Sequence, residues 1–150
     1  MKQNRVTIKQ AKELKKLGFR EGSVYYSYNY NNDGFKTVER CKFGQVGDWN
    51  NFSLMISVPT IDEACDWIRR KFNVIVYDAT PPYVDPAGSK CIWYRYAVKF
   101  CNILGGWNFR EYIGTSKRLK NAYAAKRQAL SLAISYVMKS KAKIIKIKRK

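Results

Sequence analysis

The sequence predicts an α+β fold, a single domain in the order α-β-β(-β)-α-β-β-β-α, with antiparallel sheet packed by helices. Three observations predict it. Two helix starts carry capping-box spacing, at Thr7-Ile8-Lys9-Gln10 and Thr60-Ile61-Asp62-Glu63. Between and after them, runs rich in aromatic and β-branched residues alternate as half-buried strands do. Near the C-terminus, apolar residues recur at helical spacing over more than five turns. At 150 residues, 46% hydrophobic, the chain is long enough for one real core and too short for two full-sized domains.

Taken in order, Ile8, Ala11, Leu14 and Leu17 share one side of the first helix. Gly18 follows as a left-handed cap, and Phe19 folds back onto the helix. Ser23 to Tyr30 reads as a strand and Phe35 to Lys42 as its partner, joined through Asn31-Asn32-Asp33-Gly34, residues suited to the positive φ of a tight turn. Phe43 to Phe52 is loop, and Ser53 to Val58 a short third strand. The second helix has Ile61, Ala64, Cys65, Ile68 and Phe72 on its apolar face with Trp67 at the margin. Its end, Arg69-Arg70-Lys71, places cations at the negative pole of the helix dipole.

Val74 to Asp78 is the next strand. A proline-rich loop leads to a strand over Cys91 to Asn102, with Ile92, Tyr94, Tyr96, Val98 and Phe100 on one face and Trp93, Arg95 and Lys99 on the other. Trp107 to Ile113 is the last strand. Thr115 or Ser116 then caps a helix reaching about Lys139, with Leu119, Tyr123, Leu130, Ile134 and Val137 inward. This reading gives a domain over 1–138, with a subdivision at 1–58 and 59–138 as its variant, and a basic tail over 139–150. The isoleucines of Lys143-Ile144-Ile145-Lys146-Ile147-Lys148 suit an edge strand or an interface in that tail.

Charge is the strongest functional signal. The 39 residues from Tyr112 onward hold twelve Lys/Arg and no Asp or Glu, so they carry +12 of the net +18. Such a surface repels itself and favours a polyanionic partner, which the phosphate backbone supplies most commonly. The expected contacts are Lys117, Arg118, Lys120 and Arg127 on the last helix, with Lys90, Arg95 and Lys99 beside them. Trp93 is the stacking candidate, and Lys139, Lys141, Lys143 and Lys146 extend the reach. Lys126 falls on the buried side and is expected to extend its ammonium to the edge. The tyrosines of 25–30 read as sheet packing rather than base stacking.

Enzymatic chemistry is not expected. The chain has no histidine, and Asp62, Glu63 and Asp66 are explained by a helix start. Asp78, Asp85 and Glu111 are the remaining carboxylates a metal-dependent nuclease could use. Cys41, Cys65, Cys91 and Cys101 lack Cys-x-x-Cys spacing, so they read as reduced thiols, most of them buried, and no metal or other cofactor is expected. Apolar runs are four residues or fewer, too short to span a bilayer, and no secretion signal is read at the N-terminus. The expected location is the cytoplasm.

Residues 10–19 and 59–69, each followed by a strand, resemble small proteins of Bacteroides-type phages and mobile elements, a family with no attached activity. That resemblance implies an infected bacterial host, or the virion itself, as the setting. Its members place acidic residues in the final helix, where this chain has Lys117, Arg118 and Lys120. A second resemblance covers residues 59–138, whose element order is similar to that of a double-stranded-RNA-binding domain. Gly114-Thr115-Ser116-Lys117-Arg118-Leu119-Lys120 is similar to that family's glycine-then-basic approach to its last helix, and Ala124, Ala125, Ala129 and Leu130 to its packing face. Pro86, Gly88 and Lys90 fall near its minor-groove loop, although that loop's histidine is absent. The expectation is therefore a nucleic-acid-binding protein, for DNA or RNA, that contacts phosphates with little sequence specificity. Docking of the basic surface on an acidic protein is the alternative.

Overall fold

The computed structural model describes residues 4–80, 93–101 and 110–148, giving the backbone alone at 110 and 142–148. The expected classes of element are present: among the described residues, three α-helices and six strands in an α+β arrangement, the strands forming two antiparallel sheets of three. The chain divides into two compact units, Met1–Ala64 and Cys65–Lys150.

In the first unit, α1 (Ile8–Lys16) starts where the capping box sets it. Thr7 accepts from the Gln10 N–H at 3.1 Å, and the Gln10 side chain accepts from the Thr7 N–H at 3.0 Å. Gly18 takes φ +94, so the Phe19 N–H reaches the Leu14 carbonyl at 3.0 Å and the Phe19 ring is buried. Strand β1 (Tyr25–Tyr28) lies between β2 (Glu39–Arg40) and β3 (Met55–Ser57), with Ser27 opposite Ile56 on the buried face.

These strands are shorter than the alternation predicts. Asn31 and Asn32 do adopt positive φ, as expected, but within a 3₁₀ turn over Tyr30–Asn32, and pairing of the return strand is confined to Glu39–Arg40. The buried Asn50 ties the end of the α1 turn to β3. Its amide donates to the Phe19 carbonyl at 2.8 Å, and its oxygen accepts from the Ser57 N–H at 2.9 Å.

Helix α2 (Ile61–Phe72) opens on the second capping box, Thr60 with Glu63. Trp67 is buried rather than marginal, and its ring meets Phe72 edge-on at 5.4 Å. In the second unit, Asn73 at φ +58 joins α2 to β4 (Val74–Asp78) through one residue. Strand β4 pairs with β5 (Tyr96–Cys101), and β5 with β6 (Arg110–Thr115) across a bulge at Val98/Lys99. Strand β5 is described from Tyr96, and the last strand runs to Thr115, not Ile113; the expected strand starts at Cys91 and Trp107 lie outside the described residues. Cys65 is buried while Cys41 and Cys101 are half-buried, so most of the described thiols are less enclosed than expected.

Helix α3 (Ala122–Lys148) packs on the face carrying Val74 and Val98, through Ala125, Ala129, Leu130, Ala133, Ile134 and Val137. Gly114 of β6 faces this helix, since a Cβ there would meet Leu132 Cδ1 at 3.4 Å, an ordinary contact distance. Two expectations are corrected here. The helix starts at Ala122, not after Thr115 or Ser116, so Leu119 is off the helix and half-buried, and Tyr123 points outward at 44% exposure. It also continues through Lys148, so residues 139–148 extend α3 and form neither a separate tail nor an edge strand. Ala, Lys and Met are strong helix formers, and one isoleucine-containing turn does not offset them.

The buried, helix-packed Ile134 and the exposed Tyr123 give a direct check on this packing. Ile134→Ala should cost about 2–5 kcal/mol of unfolding free energy, and Tyr123→Ala less than about 0.5 kcal/mol, read by urea denaturation.

Candidate nucleic-acid interface

The second unit holds nineteen Lys/Arg against four Asp/Glu (Asp66, Asp78, Asp85, Glu111), a net +15, and the first holds ten against seven, a net +3. Three of these cations, Lys117, Arg118 and Lys120, follow β6 where it leaves the sheet. Beyond Thr115 the chain does not turn into the helix at once; it runs back along the start of β5. The Ser116 N–H donates to the Tyr96 carbonyl at 2.8 Å, and Ser116 Oγ accepts from the Tyr96 N–H at 2.9 Å. Tyr94 and Leu119 then exchange a reciprocal pair, Tyr94 N–H to the Leu119 carbonyl at 2.7 Å and Leu119 N–H to the Tyr94 carbonyl at 3.0 Å.

The strap ends at Asn121, whose Oδ1 accepts from the N–H groups of Tyr123 (2.9 Å) and Ala124 (3.2 Å) and so caps α3. From α3, Gln128 reaches back and its Oε1 accepts from the Lys117 N–H at 2.6 Å. Lys117, Arg118 and Lys120 therefore sit on a pinned backbone, and all three are exposed. Among the described residues none of the three pairs with a carboxylate. The ion pairs Arg20–Asp48, Asp66–Arg69 and Asp66–Arg70 lie elsewhere.

The Arg118 guanidinium lies over the Trp93 ring, 4.4 Å from its centroid. That contact orients a planar, always-charged donor and leaves its outer edge available for an anion. The structure thus brings together four of the expected contacts: Trp93, Lys117, Arg118 and Lys120. Others are placed differently. Arg127 is half-buried on α3, and burial pushes its guanidinium below the ordinary arginine value. Arg95 is half-buried, and its Nε is enclosed without a hydrogen-bond partner among the described residues. Lys99 is on the sheet face away from Val98, its ammonium 4.6 Å from the Tyr77 ring centroid. The Lys126 ammonium lies 5.8 Å from the Tyr96 ring centroid.

Lys139 and Lys141 are exposed on α3, with Lys141 reaching the Phe72 ring at 5.2 Å. Lys143 and Lys146 fall within the helix backbone, and Lys90 lies outside the described residues. Asn121 and Gln128 were not among the expected residues. Asn121 carries a legible signal, being a capping residue type directly before Ala-Tyr-Ala-Ala. Gln128 carries none, because its partner is set by the strap.

Among the described residues, no group of three or more His, Cys, Asp or Glu is placed to hold a metal ion. Asp78 and Glu111 sit opposite Tyr96 and Phe100, towards different ends of β5, and Glu111 accepts from the Tyr136 hydroxyl at 3.2 Å. Asp85 lies outside the described residues. No helix among the described residues is long and apolar enough to cross a membrane.

Comparison with protein-family models, curated proteins and solved structures finds no match to this chain.

Asn121→Ala should cost about 1 kcal/mol of stability by removing the cap, whereas Asn121→Asp should retain most of it. Thermal unfolding followed by circular dichroism checks both.

Proposed function

We propose that the second unit binds nucleic acid through its phosphate backbone, with little sequence specificity and without catalysis. The observation that carries this reading is the strap: Lys117, Arg118 and Lys120 are held exposed on hydrogen-bonded backbone, unmatched by any carboxylate among the described residues. Pinned cations lose less freedom on meeting a phosphate than cations on a loose loop, so less of the interaction is spent on ordering. The guanidinium resting on Trp93 is oriented before the anion arrives.

Two further observations support the reading. The unit runs α2, β4, β5, β6, α3, the element order of the double-stranded-RNA-binding domain that its sequence resembles. The 27 residues of α3 are about 40 Å long. Its basic far end and the strap at its start are therefore separated by roughly one turn of duplex, about 34 Å. Backbone contacts at two such places would follow one duplex without reading bases. The resemblance to phage and mobile-element proteins suggests an infected bacterium as the setting.

Replacing Lys117, Arg118 and Lys120 together by Gln should weaken binding to a generic duplex or single strand. It should also flatten the plot of log affinity against log salt by about 2–3 for duplex, at about 0.9 per lost phosphate contact. Fluorescence anisotropy at several salt concentrations measures both effects. No binding by the unmodified protein even at low salt would reject the reading in favour of an acidic protein partner.

A further inference from the structure

The aromatic strand of the first unit is already occupied with itself. Tyr26 packs on Trp49 with centroids 4.8 Å apart, and Tyr28 on Tyr30 at 4.6 Å. One ring stands apart. Phe43 is 98% exposed and has no ring partner among the described residues. It occupies the middle of the turn Lys42–Gly44 at φ 62, ψ 18, a left-handed conformation that a bulky residue rarely adopts.

That turn is not a loose loop. On one side the Cys41 N–H donates to the Val24 carbonyl at 2.8 Å. On the other, Ser23 and Gly47 exchange hydrogen bonds at 3.0 and 3.2 Å. Gly47 packs directly beneath the Trp49 ring, where a Cβ would come within 2.8 Å, and the Trp49 indole donates to the Ser23 carbonyl at 2.7 Å. The base of the loop is clamped while its tip projects a strained, water-exposed aromatic. Burial does not explain such a ring, and glycine would fit the backbone better.

The charges around the tip favour an anionic occupant. Lys42 precedes Phe43 and is exposed. The Arg40 guanidinium lies beside the turn, 3.6 Å from where a Cβ on Gly44 would be. No carboxylate occurs from Arg40 to Gly47; of the flanking ones, Glu39 accepts from the Tyr30 hydroxyl at 3.3 Å and Asp48 is engaged by Arg20 at 3.0 Å. An exposed apolar ring on a turn that also carries two cations suits a base flanked by phosphates. It does not complement an acidic protein surface, which would leave the ring without a partner.

We propose that Phe43 is a base-stacking residue: it places its ring against an unpaired nucleobase while Arg40 and Lys42 meet the flanking phosphates. This rests on the nucleic-acid reading and deepens it, adding a preference for unpaired bases that phosphate contacts alone would not give. The other aromatic candidate, Trp93, already has one face covered by Arg118.

The test uses the full chain and a duplex with a single-stranded overhang carrying 2-aminopurine. Binding of the unmodified protein should change the probe's emission. Phe43→Ala should abolish that change and weaken overhang binding by about fivefold or more, as loss of one base stack predicts. Affinity for a blunt duplex should stay unchanged, and Phe43→Trp should restore both overhang signals. The melting temperature of Phe43→Gly should equal or exceed that of the unmodified protein, the opposite of what a structural role for the ring requires.

Unchanged emission and affinity with Phe43→Ala, in a protein that binds oligonucleotides with a steep salt dependence, would overturn this inference alone. Absence of any oligonucleotide binding by the unmodified protein would overturn the reading beneath it as well.

Discussion

The short backbone ladder between Tyr94–Tyr96 and Ser116–Leu119 is the constraint on which the basic surface depends. Four hydrogen bonds, three of them between backbone groups, hold the chain as it leaves β6 against the start of β5. They keep Lys117, Arg118 and Lys120 off the helix and delay α3 until Asn121 can cap it. Were those residues in the first turn of α3, their cations would face the positive end of its dipole. The ladder places them before that turn, and Gln128 takes up the Lys117 N–H.

The remainder of the second unit makes that placement rigid. Small side chains at Ala125, Ala129 and Ala133 let α3 settle closely on the sheet. Gln128 then ties the strap to the helix through the Lys117 N–H. Packing, cap and strap are one connected arrangement. The cations of the strap are therefore mounted on backbone tied to both the sheet and the helix.

Much of this fold could be read locally. The capping boxes located α1 and α2 because both hydrogen-bonding partners lie three residues apart in the chain. Val74 to Asp78 was legible for a similar reason, as a short β-branched run beginning directly after the helix. Elements settled by distant partners were less legible. Ser116 is a helix-capping residue type, but its hydroxyl is taken by the Tyr96 N–H, a bond across twenty residues. The paired length of β2 is set by Tyr25 and Tyr26, not by its own alternation. The basic residues of the strap were visible as a cluster, yet their support from Trp93 and Gln128 was not, because neither is near in sequence.

Asn73 carries a consequence of a different kind. It turns the chain from α2 into β4 in a single left-handed residue, and its carbonyl accepts from the Cys101 N–H at 3.0 Å. Nothing there can absorb a change in length. One residue more or fewer would exchange the two sides of β4, turning Ile75 towards α3 where Val74 and Val76 now face. Descendants of this sequence can therefore drift in side chains around the junction, but insertions and deletions at that point should be purged.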